Sequence, residues 1–471
     1  MLRVSLAFAL SFALWQARRT RVRPITHERQ TQAPFVGNRS PFSHAVRRKL
    51  ATYSLRSHTK GYNASMAAFR ALALRPFALL WSGQTISRLG DSLFTIALAW
   101  WVLEKTGSAT AMGIVLICST TPTLLLLLLG GVAVDRLPRL RLMLASDLLG
   151  GIVVMLVAFL AYRQWLALWH VFVMSALFGI AEAFFSPAYF AVIPDLVPVE
   201  MLPSANSLRS VSLQVAQIVG PGVGAAFIAL GGTPLAFALD GLSFFASAAC
   251  ILAISVVAPA PKLHLPAEKE ASVLRDLGAG IGAVLHSSWL WLTLLIACVS
   301  TIFLSGPDGA ALPLLVKQRF GAHVGLYALF TTLLALGSIG ASLWLGRFKR
   351  LRRRGWLSYG AWAVVGLMVM AVGLPISAGW VGLAFFIQGV ALTILGLAWT
   401  SSLQEFVPAN QLGRVRSIDL LVSDALTPIG YALAGIAADR FGASLVFVLG
   451  GAIGAGVIAL GLLHPAIRAM D

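Results

Sequence analysis

From Pro76 onward, apolar runs of about 20 residues follow one another with only short polar breaks between them. Each run is long enough to cross a bilayer as a helix. In lipid, such a segment must satisfy every backbone N–H and C=O within itself, which a helix does. A soluble chain of 471 residues would need several charged domain surfaces, yet only 11% of this one is charged and 58% is hydrophobic. These facts exclude a soluble enzyme, a disordered chain and a disulfide scaffold. Cys118, Cys250 and Cys298 lie singly inside apolar runs. They read as small buried hydrophobes, without metal-ligand spacing. No cofactor or metal motif is evident.

The runs define twelve helices, near 76–102, 109–134, 141–162, 165–190, 205–230 and 234–257, then 289–316, 322–346, 356–377, 380–403, 415–438 and 443–463. The expected fold is all-α: twelve transmembrane helices in two six-helix bundles, 76–257 and 289–471. Residues 1–75 form a basic N-terminal arm. Residues 258–288 form a linker in which Val273, Leu277, Ile281 and Leu285 recur every four residues, as in a helix lying on a membrane surface.

Charge placement orients the chain. Sixteen Lys and Arg residues lie in the even-to-odd connections and after the last span, against five on the opposite side. Both termini are therefore expected in the cytoplasm, with the chain multi-pass in a plasma (bacterial inner) membrane. The net charge of +18 comes mostly from the arm, where 14 Lys or Arg meet one acid, Glu28. It implies no nucleic-acid partner. The arm itself is open to three readings: sequence upstream of a true start at Met66, a disordered tail, or a targeting segment.

The two halves repeat at a shift of about 210 residues. Ile193–Leu208 aligns with Leu403–Ile418, with Val197-Pro198 on Val407-Pro408, and Gly232 falls on Gly442. Paired bundles of this kind are a transporter architecture, with the binding site at the midplane between them.

These residues resemble the major facilitator superfamily. In the turn after the second helix, Gly131, Val134, Asp135, Arg136, Arg139 and Arg141 fall in register with the family's loop motif, which is broken at Ala133, Pro138 and Leu140. In the fifth helix, QIVGPGVGA (Gln217–Ala225) resembles the Gly-Pro motif of antiporter branches through Gly220, Pro221 and Gly224. Further segments, such as FALDGLSFFASA, are similar to the branch of macrolide-efflux pumps and enterobactin-type exporters. The resemblance implies alternating access, proton-driven export, and an inter-helix contact of Asp135 that stabilises the state closed to the cytoplasm.

Charges inside spans are costly, about 2.5–3.5 kcal/mol on insertion scales, and therefore mark cavities or ion pairs. Asp91 and Arg88 lie one turn apart on the first helix, within reach of each other. Asp91 is open to three roles: proton coupling, a structural pair, or cargo contact. Glu182, Asp240 and Asp308 are further candidates, the last two leaning structural. Asp419 and Asp424 lie in the eleventh helix. Trp100 and Trp101 are expected at a membrane interface; Trp81, Trp399 and the Phe184-Phe185 pair stay open as cavity lining.

The reading is a monomeric secondary transporter, not an enzyme. It exports a small amphipathic or hydrophobic compound of the drug, macrolide or siderophore class, with the lipid bilayer, the cargo and protons as its partners. A small-solute importer or symporter is the alternative within transport. A non-transporting receptor or scaffold is the alternative from another class.

Overall fold

The computed structural model describes residues 69–257, 281–321, 323–345, 353–408 and 411–468, and among them there are helices and turns but no strands. In chain order the spans are α1 (Arg75–Thr106), α2 (Ala109–Arg136), α3 (Arg139–Tyr162) and α4 (Leu168–Leu196). A continuous helical stretch, Leu202–Val257, follows; its backbone leaves helical geometry at Gly231 and Gly232, dividing it into α5 (202–230) and α6 (233–257). The second set is α7 (Ser288–Phe320), α8 (Val324–Leu345), α9 (Arg354–Gly373), α10 (Ala378–Phe406), α11 (Leu412–Asp424, continued as Thr427–Phe441) and α12 (Ala443–Gly461). Eleven continuous described helices are long and apolar enough to cross a membrane; the break at Gly231-Gly232 makes the spans twelve.

The turns explain the breaks. Gly232 has φ +72° and Gly442 has φ +89°, backbone that favours glycine. These two are the glycines that the 210-residue shift superposes, so one left-handed turn closes α5–α6 and α11–α12 alike. The Val-Pro landmarks behave the same way: α4 ends one residue before Val197, α10 ends one residue before Val407, and both valines are buried. A proline disfavours helical backbone in the residue before it, and Val407 is accordingly extended, with φ −97° and ψ 128°.

The bundles also share a packing joint. A Cβ on Gly179 of α4 would collide with the carbonyl of Ser119 on α2, and one on Gly389 of α10 would collide with the carbonyl of Leu334 on α8. At each joint a hydroxyl crosses to the glycine carbonyl, Thr123 Oγ1 to Gly179 O at 3.0 Å and Ser338 Oγ to Gly389 O at 3.1 Å. Small residues allow such close helix approach in a membrane, where no hydrophobic force drives helices together. Large apolar side chains such as Leu125, Leu156 and Leu460 stand exposed, as a lipid-facing surface requires.

By backbone contacts the chain forms two units, 1–78 with 196–211, and 79–195 with 212–471. In the first, a short 3-10 turn, Arg70–Ala73, is tied to the start of α5 by Ala71 N donating to Ser204 Oγ at 3.2 Å. The second unit holds the other contacts described below.

Three expectations need comment. Trp100 and Trp101, expected at a membrane interface, lie near the end of α1 and are buried against protein, with Trp100 Nε1 donating to Glu104 at 2.7 Å. Most of the arm (1–68) and of the linker (258–280) lies outside the described residues. Of the expected surface helix, 281–285 is helical, with Ile281 and Leu285 exposed and Val284 buried.

Candidate functional site

The charged side chains of the first bundle converge. Arg88 and Asp91 stand one turn apart on α1, with Arg88 Nη1 3.4 Å from Asp91 Oδ2. Glu182 of α4 approaches the same guanidinium, its Oε1 4.0 Å from Arg88 Nη2. Phe185, one turn along α4, places its ring 5.8 Å from the guanidinium carbon. The two acids and Phe185 thus meet around one guanidinium between α1 and α4.

A fourth charged residue joins them. Asp147 of α3 is 2% exposed and ends a hydrogen-bond chain in which Gln84 Nε2 donates to Ser247 Oγ (2.7 Å) and Ser247 Oγ donates to Asp147 Oδ2 (2.6 Å). Asp147 was not singled out from the sequence, although its place inside the third apolar run is the same signal that marks Asp91. Arg88, Asp91, Asp147 and Glu182 surround a space of about 20 Å³, room for about one water.

Asp240 of α6 abuts the cluster. It is fully buried; Ser243 Oγ donates to its Oδ1 at 3.3 Å, and a Cβ on Gly90, next to Asp91, would run into it. Among the described residues, Asp91 Oδ1 and Asp240 Oδ2 have no hydrogen-bond partner. The cluster therefore holds four carboxyl groups against one guanidinium. Gly220 and Gly224 of the Gly-Pro motif pack onto Ser92 and Leu93, beside Asp91, so close approach of α5 to α1 is what these glycines supply here.

Asp308 is not part of this cluster. It lies in a one-turn π segment of α7, Pro307–Ala311, and accepts from Gln388 Nε2 of α10 at 2.5 Å. The extra residue of a π turn re-aims a side chain and is often found at functional sites.

In the turn between α2 and α3, Arg139 Nη1 donates to Asp195 Oδ2 at 2.7 Å and to the Ala191 carbonyl at 2.9 Å, fastening the start of α3 to the end of α4. Arg136 and Arg141 are exposed. The side chain of Asp135 lies outside the described residues. Gly131 has open space where a Cβ would stand; Gly130 is the close-packed glycine, against the Ala183 carbonyl.

On the opposite side of the spans a different acid closes the two bundles together. Asp439, near the end of α11, accepts from Ser108 Oγ, from Ala109 N at 2.7 Å and from Thr110 N at 3.0 Å, all at the start of α2. Those backbone donors belong to the unsatisfied first turn of a helix, where a carboxylate is favoured. The sequence signal, an acid just before Arg440 at a span end, does not by itself reveal the contact.

Comparison with known proteins agrees with this architecture. The Major Facilitator Superfamily model matches residues 80–430. Macrolide efflux protein A of Streptococcus pyogenes is 26% identical over 401 residues, covering 83% of this chain and 96% of that protein. The multidrug efflux pump Tap of Mycolicibacterium fortuitum is 27% identical over 414 residues, covering 84% and 97%. Among solved structures, a bacterial homologue of the iron transporter ferroportin, inward-facing, superposes with a TM-score of 0.63 at 18% identity, covering 82% of this chain and 98% of that one.

Proposed function

Because the chain belongs to the major facilitator superfamily, and is thereby a transporter rather than an enzyme, we propose that it exports a small amphipathic or hydrophobic compound in exchange for protons. The cargo is of the drug, macrolide or siderophore class, and the basic turns face the cytoplasm of a bacterial inner membrane. The similarity to efflux proteins over most of both chains supports the direction.

The observation that carries the coupling is the cluster of Arg88, Asp91, Glu182, Asp147 and Asp240. One guanidinium balances one carboxylate. Protons are the counter-charges available to the rest, because uncompensated charges inside a protein are expensive. When the bundles rock, the cluster faces one aqueous phase and then the other. A proton taken from outside is released inside, favoured by return of the carboxylate to Arg88. Cargo loads while the cytoplasmic side is open and leaves when the Asp439 contact on the far side separates.

The test is efflux of a compound panel from cells lacking their own pumps, with and without a protonophore. Loss of export on adding protonophore, and in Asp91→Asn at equal membrane level, is expected. Cargo accumulation instead of export points to an importer. Full proton-driven export in Asp91→Asn removes Asp91 from the coupling and moves it to Glu182.

A further inference from the structure

The second bundle contains a cavity that the coupling cluster does not use. It lies between the starts of α7, α9 and α11 and the end of α10, so it belongs to the half of the bundle nearest the basic turns. Its volume is about 300 Å³, within the range of small-molecule pockets. Tyr359, Trp362 and Trp399 form aromatic walls, with aliphatic side chains between them.

The polar groups are unevenly spent. Asp419 has a side chain only 5% exposed. It accepts from Trp399 Nε1 at 3.1 Å, from Ser423 Oγ at 3.5 Å and from Arg416. Arg416 has a side chain 43% exposed and gives Asp419 one of its five N–H donors. The lining also includes the Ser358 hydroxyl, which is buried and has no hydrogen-bond partner among the described residues. The cavity thus offers donors at its mouth and keeps its carboxylate beneath them. An aromatic cage also suits cations, but the guanidinium already holds the place a cation would take over Asp419.

We propose that this cavity binds an amphipathic organic anion, with a ring-bearing body between Trp362 and Trp399 and a carboxylate on the Arg416 donors that have no partner among the described residues. Guanidinium and carboxylate match in geometry as well as charge. That the bound anion is cargo rests on the export reading; the position of the cavity near the basic turns is where an exporter loads.

The experiment uses the full chain in lipid nanodiscs and three probes with one aromatic body: naphthylacetate, its isostere naphthylacetamide, and the cation naphthylmethylammonium. Affinity is measured by titration calorimetry with no ion gradient. Naphthylacetate is expected to bind about tenfold more tightly than the amide, as loss of one charge-assisted contact implies, and the ammonium more weakly still. Leu395→Trp, which fills the cavity, should abolish binding at unchanged melting temperature. Arg416→Gln should bring acetate and amide to equal affinity. If it does not fold, because Asp419 is left buried and unpaired, Arg416→Gln/Asp419→Asn removes both charges and should give the same equality. Tighter binding of the ammonium, no binding of any probe, or undiminished binding in Leu395→Trp overturns the proposal. Binding of naphthylacetate by a chain that exports nothing sinks the export reading and keeps this site. Export of other compounds by a chain that binds none of the probes does the reverse.

Discussion

Removing the Asp439 carboxylate should loosen the side of the protein away from the basic turns. Its three hydrogen bonds come from two backbone N–H groups and a hydroxyl of one helix start, and the acid itself is exposed. A hydrogen bond to a charged group contributes about 1.5–3 kcal/mol when buried, and an exposed ion contact about 0–1 kcal/mol. For three bonds at a half-exposed helix terminus, about 2 kcal/mol is a reasonable total, or roughly a thirtyfold change in the ratio of closed to open states. Asp439→Ala should lose all of it. Asp439→Asn keeps a carbonyl acceptor and should lose about half, a shift of roughly fivefold. The assay is a distance distribution between spin labels at Thr106→Cys and Phe441→Cys, with the three native cysteines replaced by serine. Both label sites sit at span ends on this side. The Ala variant should populate a longer distance without cargo, and Ser108→Ala added to it should lengthen that distance little further, since both act on one contact, while lowering the melting temperature through loss of the Ser108 cap on Ala111 N. An unchanged distribution in Asp439→Ala, with normal melting, would refute the reasoning.

Other substitutions probe the remaining parts. Asp91→Asn should abolish proton-driven efflux while retaining cargo binding, and Arg88→Ala/Asp91→Asn should recover expression lost in Arg88→Ala if the pair is structural; membrane level, binding and efflux are measured separately. Asp135→Asn should insert normally and transport poorly, read as efflux at equal expression; unchanged transport would remove its role in the conformational switch. Gly179→Leu and Gly389→Leu should each lower expression and melting temperature, because the added atoms meet the backbone of the facing helix. If only one of them does, the two joints are not equivalent.

The sequence itself determined the number of spans and the repeat, and placed most span edges within about four residues, though α4 runs on to Leu196 where an end near 190 was expected. Apolar runs of membrane length leave the backbone one way to satisfy its hydrogen bonds, and Val-Pro and Gly landmarks stop the helices at fixed points. Gly232 and Gly442 could be paired from sequence alone, since a positive-φ turn selects glycine wherever it occurs. The charges of Arg88, Asp91 and Glu182 were legible for a related reason: an ion inside an apolar run must have an inward-facing purpose. The tertiary structure decided which of these charges meet. Asp147 and Asp240 come to Asp91 from α3 and α6, while Asp308 pairs instead with Gln388 across α7 and α10, and no local pattern encodes such choices. It also decided that Trp100 and Trp101 turn into the protein, because helix rotation sets what a side chain faces. The Asp439 contact joins residues 330 positions apart; a single carboxylate and a helix start carry no record in the sequence that folding will bring them together.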